Sequence, residues 1–262
     1  MARQTTSNTA PVLEPDSAAI VHTGSIASVV DLDYVHNEAH KVYKPSLIVR
    51  LIYGLTFQAA FPYVANHDAL EAARQRRIIV DLLTKFWFGH HLVAKVLDIK
   101  DTAGGGHDFV TRLVRGREPR HDRKTFDFMK QLDERFLAAG LPTWQVTPYN
   151  PHAITNFVQV ADGSFRIIDL ESSLVPFFHP FSAILRLARA GIFPSFDDID
   201  VDRLRTFLSS RQGELRDRLG GEYPALLAAV DAYDVAARRW HASEPRLINR
   251  FLRWLTILGR RV

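Results

Sequence analysis

The sequence predicts a two-lobed α+β fold, with a small β-rich first lobe and a helical second lobe. The order of elements carries this prediction: strand patterns fill residues 19–45 and 91–116, a long helical pattern separates them, and mainly helical patterns follow. The composition agrees, because 47% of the 262 residues are hydrophobic and 24% are charged, as in an ordinary globular protein. The predicted divisions are a loose arm at 1–18, a first lobe at 19–115 and a second lobe at 116–262.

Five strands and one long helix make up the predicted first lobe. Residues 19–45 indicate two strands around a small-residue turn and a third strand that Pro45 stops. Residues 67–88 predict a helix capped by Asp68 and ended by Gly89. Residues 91–101 and 107–116 predict two further strands, whereas residues 46–66 are apolar and fit more than one structure.

The second lobe is predicted to be helical apart from one hairpin. A helix over residues 124–139 is ended by Gly140. Two short strands, 156–160 and 165–170, flank Ala161-Asp162-Gly163-Ser164, a turn in which glycine tolerates positive φ. Further helices are predicted over residues 180–190, 200–218, 222–241 and 245–258.

Charge and residue usage limit the function classes only in part. The net charge of +4 fits phosphate-bearing ligands, an anionic membrane surface or nucleic acid, and also an unremarkable basic surface. The absence of cysteine excludes disulfides, cysteine-ligated zinc and thiol catalysis. No run of 18 apolar residues occurs, and we expect a cytoplasmic protein.

The basic amphipathic stretch at 245–258 allows two interpretations. It fits contact with the inner face of a membrane, but a final helix packed on the second lobe is the favoured alternative.

An asparagine and an aspartate flank the predicted hairpin. Asp169 ends an apolar strand, where a carboxylate is costly in a core but tolerated at a cleft. Asn156 and Asp169 together offer the oxygen ligands that Mg²⁺ accepts alongside phosphates and water. The alternative is that each residue caps a neighbouring segment, and the local pattern favours neither.

These residues lie in segments that resemble a known superfamily. YNPHAITNF, residues 149–157, resembles the catalytic loop of protein-kinase-like enzymes, especially the atypical branch that includes UbiB/AarF-type, aminoglycoside and sugar kinases. IIDLE, residues 167–171, resembles their metal-binding aspartate segment. The resemblance implies that Asn156 and Asp169 hold the Mg²⁺ of a bound ATP.

Other segments with the same resemblance follow in the expected order. Gly24 and Ser25 begin a stretch similar to the loop that covers the nucleotide. AHKVYKP resembles the third-strand segment, which implies that Lys41 pairs the α- and β-phosphates, with Lys44 as the alternative. Glu71, on the long helix, is the implied ion-pair partner of that lysine.

The last predicted strand of the first lobe completes this set. FVTRLVRGREP resembles the strand that leads into the hinge, so the backbone near Leu113 and Val114 is expected to face the adenine. The resemblance covers about residues 20–175.

One catalytic residue of the resembled pattern is missing. Asn150 stands where the family has the aspartate that orients the proton of the attacking hydroxyl, and an amide is not a base. No aspartate or glutamate occurs from Pro142 to Ala161. His152 is the replacement candidate, since an unperturbed imidazole has a pKa of about 6.5, although a structural role in the loop is favoured.

Three functions remain open from the sequence. The first is an ATP- and Mg²⁺-dependent phosphotransferase acting on a small molecule, a lipid-linked sugar or a protein. A variant of this first function is the transfer of another part of ATP, such as AMP. The second function is a pseudokinase that binds nucleotide and regulates a partner. The third is a basic membrane- or nucleic-acid-binding module, of which the nucleic-acid form is not expected.

Overall fold

The computed structural model describes residues 20–24, 27–57, 59–103, 106–171 and 198–243, together with Trp254 and Ile257. Within these residues the fold is α+β, as predicted. Ser25, the predicted helix at 180–190 and most of the stretch at 245–258 lie outside the described residues.

A five-stranded antiparallel sheet forms the first half of the protein, with strand order β1-β2-β3-β5-β4. Its strands are β1 (Ile20–Gly24), β2 (Ser28–Asp33), β3 (Glu38–Tyr43), β4 (Val96–Asp101) and β5 (His107–Arg112). All five predicted strands are therefore confirmed. β3 lies at the centre of the sheet, where Lys41 pairs with Val30 on one side and Phe109 on the other.

Residues 46–66, which the sequence left open, form short helical segments. They comprise α1 (Leu47–Ile52), a π-helical turn (Tyr53–Phe57) and α2 (Pro62–Ala65). Ser46 caps α1, because its side chain accepts a hydrogen bond from the Val49 amide.

The long helix α3 (His67–Phe88) connects the sheet with the later helices. Its N-cap is Asn66, whose side chain accepts from the Ala69 amide at 3.2 Å, so the prediction of Asp68 as the cap was wrong by two residues. Gly89 ends the helix at φ 81°, a left-handed conformation that a Cβ would oppose. α3 packs along the last long helix, α7 (Tyr223–Ser243).

The second half of the described chain contains one hairpin and several helices. In chain order these are α4 (Arg123–Ala139), a 3₁₀ turn (Ala153–Asn156), β6 (Phe157–Gln159), β7 (Phe165–Ile167), α5 (Val201–Ser210), α6 (Gln212–Leu219) and a second 3₁₀ turn (Gly220–Glu222) before α7. The single helix predicted over 200–218 is two helices, because the backbone leaves helical geometry at Arg211.

One hydrophobic core cluster runs through the described residues. It includes Tyr43 and Phe109 of the sheet, Leu83 of α3, Phe136 of α4 and Trp240 of α7. The core therefore continues across residue 115, where the sequence predicts a division between two lobes.

Candidate functional site

Asn156 and Asp169 lie together at one end of the β6–β7 hairpin. Phe157 of β6 pairs with Ile167 of β7, and just beyond this pair the Ile168 amide donates to the Asn156 carbonyl at 2.8 Å. Residues 156 and 168 are therefore opposite each other, and Asp169 follows directly. The hairpin register brings the two predicted metal ligands to one place.

Backbone hydrogen bonds fix this hairpin to the segment that precedes β4. The Ala94 amide donates to the Ile167 carbonyl at 2.8 Å, and the Ile167 amide donates to the Leu92 carbonyl at 2.7 Å. Both edges of β7 are thus paired, so Asp169 is held close to the five-stranded sheet.

The connector after β5 pairs with β6. Arg117 and Gln159 exchange two backbone hydrogen bonds, at 3.0 Å and 2.8 Å. Gly116 passes so close that a Cβ there would lie 2.4 Å from Val158 Cγ1 and 2.5 Å from the Gln159 carbonyl oxygen. Only glycine fits at this crossing without a shift of backbone.

Lys41 reaches from the central strand of the sheet to Asp169. Its Nζ donates to Asp169 Oδ2 at 2.7 Å and to Glu171 Oε2 at 3.4 Å. Lys41 also lies over the ring of Tyr43, its neighbour on the same face of β3, at 5.2 Å from the centroid. The structure thus brings together a lysine and an aspartate that are 128 residues apart.

Glu171 is a buried carboxylate bound by two cations. Its side chain is 1% exposed, and Arg77 of α3 binds it through both oxygens, Nε to Oε1 and Nη2 to Oε2, each at 2.7 Å. Burial alone would raise the pKa of Glu171, but Arg77 and Lys41 hold it well below its ordinary value. Glu171 is therefore ionised in the folded protein at neutral pH.

Asp169 is the more accessible carboxylate, with 32% of its side chain exposed. Burial and the neighbouring Glu171 raise the pKa of Asp169, while Lys41 and Arg77 oppose the shift. Its Oδ1 accepts from the Glu171 amide at 3.0 Å, which fixes the orientation of the carboxylate. Asp169 is therefore both oriented and open to a ligand.

The Asn156 amide is oriented by Gln145, which follows α4. Asn156 Nδ2 donates to the Gln145 carbonyl at 3.0 Å and to its Oε1 at 2.7 Å. A backbone carbonyl can only accept, so the nitrogen faces Gln145 and the oxygen Oδ1 points away from these two acceptors. Gln145 Nε2 in turn donates to the Glu171 carbonyl, which ties Asn156 to the segment of Asp169.

Asn150 has a structural role in the loop before the hairpin. It is 5% exposed, its Nδ2 donates to the Trp144 carbonyl at 2.9 Å, and its Oδ1 accepts from the His152 amide at 3.0 Å. Both polar ends of the side chain are thus occupied by backbone. These two hydrogen bonds hold the loop between Trp144 and His152, which is a structural role for the amide at the predicted catalytic position.

His152 is exposed beside Asn150, and its carbonyl accepts from the Thr155 hydroxyl at 2.8 Å. Within the described part of the chain its imidazole forms no hydrogen bond, so nothing orients it as a base.

Glu71 does not pair with Lys41, which corrects the predicted ion pair. Its carboxylate accepts from Gln75 Nε2 at 2.6 Å and lies 3.5 Å from Arg74 Nη1, on the same helix. The residue of α3 that faces the site is Arg77, almost two turns later. The sequence prediction chose an acid on the helix, whereas the acid comes from the segment after the hairpin and the helix supplies a cation.

The predicted nucleotide-contacting backbone is only partly described. Gly24 ends β1 opposite Val29. Leu113 is buried, with its amide donating to the Asn37 carbonyl at 2.9 Å, and Val114 is half-buried after it. The Leu113 amide is therefore already used, which leaves the predicted adenine contact to the backbone that follows.

Three residues of the site were missed by sequence reasoning. Gln145 has no motif of its own, whereas Arg77 carries a signal, because it lies at helical spacing from Leu70, Ala73 and Val80 on the mostly apolar buried face of α3. A charged residue in such a position is usually paired. Glu171 lies within the IIDLE segment, in which the resemblance implies a role for Asp169 only.

Comparisons with known proteins do not identify a family. No protein-family model matches the chain, and no curated protein matches it. Among the described residues, no group of three or more His, Cys, Asp or Glu side chains could hold a metal ion by itself. The search of the same residues for a helix long and apolar enough to cross a membrane also found none.

Proposed function

We propose that the protein binds ATP with Mg²⁺ between the five-stranded sheet and the β6–β7 hairpin, as an atypical kinase-like phosphotransferase. The acceptor is a small molecule, a lipid-linked sugar or a protein. The proposed fold is the two-lobed kinase-like fold.

The 2.7 Å ion pair between Lys41 and Asp169 carries the proposal. A lysine on the third strand and an aspartate after a hairpin are the groups that hold phosphates and metal in protein kinases. Asn156, opposite the residue before Asp169 in the hairpin, offers an amide oxygen as a further ligand. Mg²⁺ is usually held by one or two protein carboxylates together with phosphates and water, so the lack of a larger acidic cluster is compatible with this site.

Each side chain has a defined task in this proposal. A bound Mg²⁺ would supply positive charge that neutralises the charge developing during transfer. Asp169 and Asn156 would hold this metal through their side-chain oxygens. Lys41, released from Asp169, lies next to the phosphates and binds them through its ammonium group.

A nucleotide-binding pseudokinase is the second candidate, and Asn150 favours it. The position that should supply a base is an amide with both ends bound to backbone, and the loop holds no carboxylate. Positioning and electrostatics still give slow transfer without a base. A membrane-binding module is the third candidate, and it rests on the basic amphipathic sequence at 245–258 alone.

Thermal unfolding with Mg·ATP tests the shared part of both candidates. At a ligand concentration of about 100 times Kd, binding stabilises the folded state by roughly 2.7 kcal/mol. For a domain of this size that free energy raises Tm by roughly 5–11 °C. No shift at millimolar Mg·ATP would refute nucleotide binding.

Asp169→Ala is expected to remove the Mg²⁺-dependent part of ATP binding, because it deletes the only accessible carboxylate of the described site. The measurement is ATP affinity by calorimetry with Mg²⁺ and with EDTA. If the ratio of the affinities with Mg²⁺ and with EDTA is the same in the variant as in the wild type, the assignment of Asp169 as a metal ligand is contradicted.

Labelled ATP separates the candidates from each other. Transfer of label from the γ-position alone indicates phosphoryl transfer, and transfer from the α-position indicates nucleotidyl transfer. Binding without transfer of either label supports the pseudokinase.

A further inference from the structure

We infer that Glu171, held by Arg77 of α3, is the acidic residue that positions Lys41 for nucleotide binding, so that the helix contributes the cation and not the acid of this network. This inference rests on the proposed function, because it names the group that orients Lys41 toward the phosphates. Glu171 and Arg77 are positioning residues, since neither is expected to touch the nucleotide.

Lys41 is shared between an accessible and a buried carboxylate. Asp169 is 32% exposed and 2.7 Å from Nζ, whereas Glu171 is 1% exposed and 3.4 Å away. A metal ion that binds Asp169 competes with Lys41 for the same carboxylate. Glu171 remains beside the ammonium group and keeps Lys41 in the cleft after this exchange.

Arg77 makes Glu171 a fixed partner. The guanidinium binds both carboxylate oxygens at 2.7 Å, donates to the Ile168 carbonyl at 2.9 Å, and lies over the Phe109 ring at 5.3 Å from its centroid. Its side chain is 2% exposed. An arginine fork of this kind orients a carboxylate more strictly than a single ammonium group does.

The arrangement also connects α3 with the metal-binding segment. Arg77 Nη2 donates to the Ile168 carbonyl and lies 3.8 Å from Asp169 Oδ1, so the side chain that binds Glu171 also meets the two residues before Leu170. A displacement of α3 would therefore change the positions of Glu171 and Lys41 together. The helix position is expected to control nucleotide affinity through this contact.

A double-mutant cycle for Mg·ATP affinity tests whether Glu171 acts through Lys41. Glu171→Gln is expected to weaken binding by roughly 2- to 150-fold in the wild-type background, the range found for coupled neighbours. In a Lys41→Met background the same change is expected to alter affinity less than about 2-fold, as uncoupled changes do. Equal losses in both backgrounds would overturn the inference, because a merely structural role of Glu171 does not depend on Lys41.

Glu71→Gln is the matched control, because it makes the same substitution on the helix residue that sequence patterns favour as the partner. Unchanged affinity in this variant is the expected result. A loss in Glu71→Gln as large as that in Glu171→Gln would return the positioning role to the helix acid.

Two further measurements keep the test decisive where a variant is unstable or binding is too weak. The double variant Arg77→Met/Glu171→Gln removes both buried charges, so it avoids an unpaired one and is expected to fold and to bind Mg·ATP as weakly as Glu171→Gln. Wild-type affinity in the folded double variant would refute the inference.

The Lys41–Glu171 coupling can also be measured without nucleotide, from the urea unfolding equilibrium of the two single variants and the double variant. Additivity within about 2-fold in the unfolding equilibrium constant would show that the two residues are not coupled. If the wild type does not bind Mg·ATP, both the proposed function and the positioning role are refuted. If the wild type binds and the Glu171 variants have the same Mg·ATP affinity, the positioning role alone is refuted.

Discussion

Arg77→Met gives the sharpest test of the buried network, because it removes one partner of a fully buried ion pair. Arg77 and Glu171 are 2% and 1% exposed, and their two hydrogen bonds are each 2.7 Å long. Methionine retains much of the volume but removes the two short hydrogen bonds of the Glu171 carboxylate and leaves it the longer contact with Lys41 at 3.4 Å. Breaking a buried pair in this way costs about 3–5 kcal/mol, which corresponds to a fall in Tm of roughly 6–20 °C.

The destabilisation should depend on pH in a defined direction. In the wild type the pKa of Glu171 lies well below its ordinary value of 4.5, so its contribution to stability is present above that value and is lost as pH falls through the folded pKa. Arg77 is the largest influence that lowers this pKa, so its removal is expected to move the pKa upward, because burial is then opposed mainly by Lys41. The variant is therefore penalised most at neutral pH, and the penalty shrinks on acidification because Glu171 takes up a proton.

Urea unfolding followed by circular dichroism at pH 7 and pH 5 measures both effects. Arg74→Met is the control, since Arg74 lies one turn earlier on α3, is 39% exposed, and is 3.5 Å from Glu71. Loss of such an exposed pair costs about 0–1 kcal/mol. A cost for Arg77→Met equal to that of the control, or one that does not fall between pH 7 and pH 5, would refute the buried-pair interpretation.

Three further substitutions examine the surroundings of the site. Gly116→Ala forces a Cβ against the β6 backbone and is expected to lower the free energy of unfolding by about 1–3 kcal/mol, measured by thermal unfolding. An unchanged Tm would show that the connector can shift freely. Gln145→Leu removes the side-chain partner of Asn156 and should lower the free energy of unfolding by about 1–3 kcal/mol. It should also weaken Mg·ATP binding in calorimetry. Retained affinity would show that Asn156 binds without this hydrogen bond. Asn150→Asp replaces the donor to the Trp144 carbonyl with a carboxylate, so it should lower stability by about 1–3 kcal/mol at pH 7. It is not expected to produce transfer of γ-label. A variant that is as stable as the wild type and more active would contradict the structural role.

Local patterns were sufficient for most of the secondary structure. The strands around Lys41, the hairpin around Gly163 and the helix ends at Gly89 and Gly140 were all confirmed, since each depends on neighbouring residues and on the conformational freedom of glycine. The boundaries that failed, such as the cap of α3, depend on a choice between adjacent polar residues. Local pattern does not distinguish Asn66 from Asp68 as a cap.

Asn150 shows why the role of a site residue is harder to predict. The resemblance aligned Asn150 with a catalytic position, and the structure shows a buried amide in the loop before the hairpin. Its function in the fold is determined by the Trp144 carbonyl and the His152 amide, and no sequence pattern reports their hydrogen bonds.

The sequence by itself determined that Asn156 and Asp169 flank one hairpin and that Lys41 lies on the third strand, because strand period and turn chemistry are local properties. Only the tertiary structure decided which acid Lys41 contacts. Glu71 and Glu171 both fit the requirement for a carboxylate, but α3 turns Glu71 toward Arg74 and Gln75 and presents Arg77 to Glu171. Partner choice depends on the rotation of a helix against a sheet, which long-range packing fixes and local sequence does not.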